Sequence, residues 1–532
     1  MGRMKKLIVL SPDPADYRVL HDLLRVYFPR LSFVEEEKGA VYWLTGRAQT
    51  SMSFQAAPGD ELSADSGAVN AEVQANDEGP ALVMKIEKKE APLEIRVAAL
   101  KDGRLVDQQT EKIFAESFPE ETEHRQRRLL RLCFQRVLVR LLVLQPSPWG
   151  ILTGVRPTKI AHRLLDAGCS AEKTVAHLCQ DYDLSRKRAE LLTRVALYQR
   201  PYLAEQNESK LLSIYISIPF CPTRCHYCSF PAFSVERWGA QVPAYLSGLE
   251  KEIAAVGAAL SGTGAKVRTV YLGGGTPTVL SAEQLAHLLA TVERSFDFTG
   301  ERELTVEGGR PDTLSEEKLR VLKAHQLSRL SINPQTMSDE TLVRIGRQHT
   351  VQEIYEAYRL ARKTGLPILN MDLIIGLPGE KGTVLEATLE KVLQLAPENI
   401  TLHALAMKRA AYYRQEKIVL PVPSEGIQMM DLAHRRLQDA GYHPYYLYRQ
   451  KEIFAHGENV GYTLPGKACL YNILMMEERQ TILGFGVGSG SKLVNYADWT
   501  LENIYNPKDV QVYLERLEEI INRKVDKLLR IL

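Results

Sequence analysis

The stretch SIPFCPTRCHYCSF, residues 217–230, places Cys221, Cys225 and Cys228 within eight residues. Thiols so spaced can close a zinc knuckle, form a redox switch, or hold three irons of a four-iron cube and leave the fourth iron open. A closed zinc site takes four protein ligands, and His226, between two of the cysteines, is the local candidate for the fourth. The other four of the seven cysteines, Cys133, Cys169, Cys179 and Cys469, are scattered among apolar residues and read as small core side chains. Seven cysteines make no disulfide framework for 532 residues, so a reducing compartment is expected, in which close thiols favour metal. A second run, GGGTPT at 273–278, lacks the Lys-Ser/Thr pair of a phosphate loop and the spacing of a dinucleotide fingerprint. Its bare backbone suits close approach by an amino-acid-like ligand.

The elements that must position these residues begin at 211. LLSIYISIPF, VRTVYLGGG, ELTVEGG, RLSINPQ, PILNMDLIIGLPG and NITLHALA read as strands, each followed by a helical stretch. Strict alternation predicts parallel strands with helical crossovers, and six units in place of eight predict an open, partial (β/α)6 barrel. Strand ends and the loops after them converge on one mouth of such a barrel. The cysteines follow the first strand and GGGTPT the second. Glu307 ends the third, Gln335 follows the fourth, and Asp372 sits on the fifth, which runs into GLPG. Reactive side chains at the same end of five strands predict one shared site.

Four regions are expected. Residues 1–145 form an α+β N-terminal domain, with KKLIVLS a strand, ADYRVLHDLLRVYF a helix and PLEIRVAALKDGRLVDQQ a hairpin. A flexible acidic loop at about 55–80 interrupts it, within a run (51–84) free of lysine and arginine. Near 122–144 a helix carries Arg125, Arg128, Arg131 and Arg136, read as a solvated face. Residues 146–205 make a helical connecting segment whose GVRPTK turn suits either an anion or a simple domain junction. The barrel covers 206–420, and 421–532 add a C-terminal extension with a strand-like TILGFGVGSGS and a last amphipathic helix. With 67 Lys+Arg against 65 Asp+Glu, the net charge of +2 is no footprint for a nucleic-acid partner. Apolar runs fall short of a signal peptide or a membrane span, and a cytoplasmic protein is expected.

Cys221-x3-Cys225-x2-Cys228, with Tyr227 before the last cysteine, resembles the signature of the radical S-adenosylmethionine (SAM) enzymes. IYISIPFCPTRCHYCSF, YLGGGTPT, RLSINPQT, IGRQHT and NMDLIIGLPG further resemble the oxygen-independent coproporphyrinogen III oxidase/dehydrogenase family. WGILTGVRPTKI and VEGGRPDT are similar to its HemZ-type branch. The resemblance spans about 147–495. It implies a [4Fe–4S] cluster on Cys221, Cys225 and Cys228, whose open iron takes the amino and carboxylate groups of SAM. Tyr215 and Tyr227 would flank the cluster and the adenine, and Gly274, Gly275 and Thr276 would meet the methionine end. Glu307, Gln335, Arg347 and Asp372 would hold polar groups of SAM, with Asp372 on the ribose.

In the family reaction a propionate side chain loses hydrogen and carbon dioxide and becomes a vinyl group, while an electron passes to an acceptor. The resemblance therefore implies a tetrapyrrole partner, coproporphyrinogen III or heme, and an electron donor such as flavodoxin or ferredoxin. A substrate with four carboxylates calls for cations, and Arg310, Arg347, Lys408, Arg409 and Arg449 are the candidates. The sequence departs from the family in two places. Phe230 stands where authentic dehydrogenases carry a fourth cysteine, and Ser217 where they carry histidine. The heme-chaperone branch has a His-Asn-x-x-Tyr-Trp stretch, of which ENVGYT keeps Asn459 and Tyr462. Three readings follow: a coproporphyrinogen decarboxylase, a heme-binding chaperone, or a radical SAM enzyme of another substrate such as a nucleic-acid methyltransferase. The near-neutral charge disfavours the last.

Overall fold

The computed structural model describes residues 6–11, 13, 15–28, 31–36, 39–44, 81–90, 93–101, 104–113, 122–204, 210–406, 420–450 and 453–531. The acidic loop expected at 55–80 lies outside them, as do Lys408 and Arg409. Two compact units are present, one over residues 1–154 and 164–190, the other over 155–163 and 191–532.

The first unit is built on a six-stranded sheet in the order β2-β3-β1-β4-β5-β6. Its strands are β1 (Lys6–Leu10), β2 (Leu31–Glu36), β3 (Gly39–Leu44), β4 (Ala81–Glu90), β5 (Leu93–Lys101) and β6 (Arg104–Ile113). Alternation sets the buried face: Leu82, Met84 and Ile86 of β4 are buried while Lys85 between them is exposed. Helices Ala15–Tyr27 and Thr122–Leu141 cover this sheet through Leu20, Leu23 and Leu24 on one and Leu130, Phe134, Val137 and Leu138 on the other. The arginines of the second helix are not the solvated face expected. Arg136 pairs with Glu111 and with Asp183 at 2.7 Å, Arg128 lies 5.4 Å over the Tyr182 ring, and burial pulls the Arg131 pKa down. Cys133 and Cys469 are fully buried, as small core residues should be, whereas Cys169 and Cys179 are only half-buried.

The second unit contains an 11-stranded sheet. Its middle is six neighbouring parallel strands in sequence order: β7 (Leu211–Ile218), β10 (Lys266–Gly274), β11 (Phe298–Glu307), β12 (Arg329–Ser331), β13 (Leu369–Ile375) and β14 (Asn399–Ala404). Between β7 and β10, the two-residue strands β8 (Phe220–Cys221) and β9 (Phe233–Ser234) pair with each other. Helices Val242–Leu260, Ala282–Ser295, Glu316–Ala324, Val351–Thr364 and Gly382–Leu395 make the crossovers. Ser281 with Gln284 and Thr350 with Glu353 form capping boxes that start two of them. In β7 every residue but Tyr215 is buried, the continuous apolar run of a strand covered on both faces. This is the open (β/α)6 barrel.

The C-terminal residues extend both edges of the barrel sheet. β15 (His443–Tyr448) and β16 (Asn459–Thr463) add antiparallel strands beside β14. β17 (Thr481–Phe485) lies parallel to β7, followed by antiparallel β18 (Gly490–Val494) and β19 (Leu501–Tyr505). The last helix, Leu517–Leu529, is fastened by Lys524, which meets Glu252 of helix Val242–Leu260 with both side chains fully buried. Glu252 also accepts from the Tyr513 hydroxyl at 2.7 Å, Asn506 Nδ2 at 3.0 Å and the Gly486 N–H at 2.9 Å. A buried pair this well supplied with donors holds despite its desolvation cost. Among the described residues no helix is long and apolar enough to cross a membrane.

Candidate cofactor site

The cysteine loop is anchored at both ends before any side chain is considered. β8 and β9 pin its start and finish, the His226 N–H donates to Ile345 O at 3.0 Å, and the Cys228 N–H to Cys225 O at 3.1 Å. The glycine run then closes on it. Gly275 N–H donates to Ile218 O and Thr276 N–H to Phe220 O, each at 2.8 Å, and Thr276 Oγ1 lies 3.5 Å from Cys221 Sγ. A Cβ on Gly275 would stand 2.5 Å from Phe220 O and 3.0 Å from Cys221 Sγ. Gly274 has φ +105°, closed to ordinary side chains. The glycines are therefore required where the second strand end touches the first.

The three thiols open on a cavity of 360 Å³ at the carboxyl ends of the barrel strands, lined also by Tyr227, Gly274, Gly275, Thr276, Glu307, Gln335, Arg347 and Asp372. Of the residues expected to hold the cluster and SAM, Tyr215 alone does not reach it. Tyr215 lies one layer back, stacked at 6.1 Å on Tyr271 and 6.3 Å on Tyr471, and Tyr271 faces the cavity in its place.

Burial pushes the Cys221 thiol up to about 12 and raises Cys228 as well. Thiolates here call for a positive partner, which iron supplies. Burial also lifts Glu307 to about 7, against the Tyr271 hydroxyl that donates to its Oε1 at 2.8 Å and with the Asp372 charge adding to the rise. For Asp372 burial pushes upward too, yet His403, Asn370 and Thr401 outweigh it and hold the carboxyl below its usual 3.8. Asn370 Nδ2 donates to Asp372 Oδ1 at 2.8 Å, and a His403 ring nitrogen lies 3.7 Å from Oδ2. One buried carboxyl poised near neutrality and another held ionised give two unlike acceptors in one cavity.

Two buried amide oxygens, Asn333 Oδ1 and Gln335 Oε1, have no hydrogen-bond partner among the described residues although both residues line the cavity. Gln335 is further held at φ +67°, its N–H on Asp372 O at 2.9 Å and its carbonyl accepting from Ile374 N–H at 3.0 Å. Strain and orphaned acceptors together mark a place for a ligand rich in donors. SAM, with an ammonium, ribose hydroxyls and an adenine amino group, fits that demand. Zinc fits less well. His226 packs against Gly346, sets Nδ1 3.2 Å from Arg344 O, and lines a separate cleft. Among the described residues no three thiol, imidazole or carboxylate groups gather round a single ion position.

The cations expected for a tetracarboxylate are largely spent. Arg310 grips Asp312 through two 3.0 Å bonds and Thr223 through a third at 2.9 Å. Arg347 is divided between the Tyr227 hydroxyl, at 3.1 Å, and Asn333 O. Arg449 does not line the cavity and donates to the Gly457 and His456 carbonyls. At the rim Phe230, in the place of the fourth cysteine, is 60% exposed. Ser217 is buried, with Oγ 2.8 Å from the position of a Gly274 Cβ, so a small side chain suits it. Tyr271, Asn333, Asn370 and His403 escaped the sequence reading. Strand alternation could have found Tyr271 and Asn370, each two residues before one already chosen.

Residues 215–392 match the Radical SAM superfamily. The chain is 44% identical over 381 residues to the oxygen-independent coproporphyrinogen-III oxidase-like protein HemZ of Bacillus subtilis, covering 71% of this chain and 76% of that one. It is 31% identical over 283 residues to the heme chaperone HemW of Lactococcus lactis subsp. lactis, covering 52% of this chain and 68% of that one. Among solved structures, coproporphyrinogen III oxidase HemN from Escherichia coli aligns over 61% of this chain and 72% of that one, with a TM-score of 0.48 and 24% identity. The chain thus belongs to the oxygen-independent coproporphyrinogen-III oxidase-like family of radical SAM proteins, and a [4Fe–4S] cluster and SAM come with that membership.

Proposed function

We propose that this protein converts propionate side chains of coproporphyrinogen III to vinyl groups by oxygen-independent oxidative decarboxylation, with a flavodoxin- or ferredoxin-like donor reducing its cluster. The supporting observation is the single cavity onto which the three thiols, Glu307, Gln335, Arg347 and Asp372 all open. Cys221, Cys225 and Cys228 would hold the cluster. When bound to it, SAM supplies a one-electron agent that abstracts hydrogen. The backbone of Gly274 and Gly275 would admit the methionine end, Glu307 would take the ammonium and Arg347 the carboxylate. Asp372, kept ionised by His403 and Asn370, would accept from a ribose hydroxyl. Asn333 and Gln335 would turn their orphaned oxygens to the remaining donors.

The relatives named heme chaperones offer a second reading. Against it, Tyr462 of the stretch they share is fully buried on β16, its hydroxyl 2.7 Å from His434 Nδ1, and Asn459 Oδ1 accepts from the Ala404 N–H at 3.1 Å. Both residues serve the fold. Anaerobic reconstitution with iron and sulfide, followed by reduction with SAM and coproporphyrinogen III, tests the proposal. Release of 5′-deoxyadenosine together with carbon dioxide is expected. Deoxyadenosine without carbon dioxide rejects the substrate, and stoichiometric heme binding without turnover favours the chaperone.

A further inference from the structure

The sixth barrel strand supplies none of the residues singled out from sequence, although its end opens on the same cavity. His403 lies there, the penultimate residue of β14, and lines the cavity with 26% of its side chain exposed. Nε2 is 3.7 Å from Asp372 Oδ2, and Nδ1 has no hydrogen-bond partner among the described residues. The arginines lining this cavity are all engaged with protein acceptors. Arg310 is held by Asp312, Arg347 by Tyr227 and Asn333 O, and Arg329 by Glu303, Asn399 and Lys467 O. No described lysine lines it. Apart from Arg347 Nε, which also lacks a partner among the described residues and is assigned above to SAM, His403 Nδ1 is a described nitrogen on the cavity able to meet a ligand without surrendering a protein partner.

We propose that His403 anchors a propionate carboxylate of the substrate through Nδ1–H, with Asp372 orienting the ring from the other side; this rests on the tetrapyrrole reading above. A carboxylate meeting the Nδ1–H of a ring already fixed on its Nε2 side gains a charge-assisted hydrogen bond in a set direction. Asp372 would then touch both ligands, the ribose of SAM and the histidine that holds the substrate.

The test is equilibrium binding of coproporphyrin III, the air-stable oxidised form of the substrate, and of its tetramethyl ester. Both are titrated into anaerobically reconstituted full-length protein, wild type and His403→Ala, in one detergent buffer. A lost charge-assisted hydrogen bond predicts that His403→Ala binds the acid roughly ten- to a hundredfold more weakly. The ester is expected to bind both proteins alike, with iron content unchanged and any loss of SAM affinity, through Asp372, smaller than the loss for the acid. An unaltered preference for acid over ester in His403→Ala overturns the inference while leaving the substrate reading intact. So does a loss for acid and ester alike that tracks the loss of SAM affinity, which would mean that His403 acts only by positioning Asp372. Failure of the wild-type protein to bind the acid refutes the substrate reading and the anchor with it.

Discussion

Replacing Gly275 by alanine puts one methyl group into the contact between the first two barrel strand ends. Its carbon would lie 2.5 Å from Phe220 O, 2.9 Å from Ile218 O and 3.0 Å from Cys221 Sγ. The two oxygens belong to the backbone, and they accept the N–H groups of Thr276 and Gly275 at 2.8 Å. Relief therefore cannot come from a rotamer change. The glycine run must withdraw from β7 by several tenths of an ångström, weakening two hydrogen bonds worth about 1 kcal/mol each and adding an overpacking cost of about 1–3 kcal/mol. A total loss of roughly 2–5 kcal/mol is expected in denaturant unfolding of the apoprotein. Because Cys221 Sγ is one of the displaced atoms, iron and sulfide per chain after reconstitution should also fall, and SAM should perturb the spectrum of the reduced cluster less. Gly300→Ala is the control, for nothing lies within 4 Å of its added carbon. If Gly275→Ala matches both Gly300→Ala and wild type in stability and iron content, the argument that bare backbone shapes this site is wrong.

Three further outcomes are expected. Glu307, lifted to about 7, would accept a SAM ammonium, as proposed, only when ionised, so SAM affinity should rise with pH through about 7. The Tyr271 hydroxyl holds that value down, and Tyr271→Phe should move the binding midpoint to higher pH; an unmoved or lower midpoint refutes the pairing. Lys524→Met leaves Glu252 buried without its cation and should cost about 3–5 kcal/mol in urea unfolding, a figure that a loss under 1 kcal/mol would contradict. Phe230→Cys alters a side chain 60% exposed at the cavity rim, so unfolding free energy should stay within about 0.5 kcal/mol and iron per chain should not rise.

The barrel was legible because each unit alternates an apolar run with an amphipathic helix, a pattern that parallel strands alone satisfy. The site was legible because strand ends converge, so that Glu307, Gln335 and Asp372, each ordinary alone, acquire meaning from equivalent positions. Depth along the strand was not legible. Tyr215 pairs in register with Tyr271, and Tyr271 with Thr305, a row below the one that joins Ser217 and Gly273. Residues of the lower row reach the cavity only where nothing covers them, and the rings of Tyr271 and Tyr471 cover Tyr215. That depends on side chains from three distant segments, one of them beyond the barrel. The strand at TILGF was legible, but the places of the added edge strands were hidden, since β16 and β17 gain them by pairing with β14 and β7 across long stretches of sequence.

Counting arginines was the weakest guide to the substrate, for a reason visible in GGRPDT itself. Arg310 and Asp312 stand two residues apart across a proline, close enough for the planar guanidinium to meet the carboxylate through two parallel bonds. A buried guanidinium already matched in this way gains little from a second carboxylate and would lose its first partner to take one. Arg347, tied to Tyr227 beside the last cysteine, is likewise committed to shaping the cofactor end. A hydrogen-bond donor available to a substrate must come from a group that the fold leaves incompletely paired. Of the cavity wall that description fits His403, on the strand whose next two residues, Ala404 and Leu405, continue the lining and whose chain then runs into Lys408 and Arg409. On the proposed function, a substrate carboxylate drawn to this end of β14 would sit beside Asp372, and the residues closing the barrel's sixth unit would set the tetrapyrrole against the cofactor that the first five would hold.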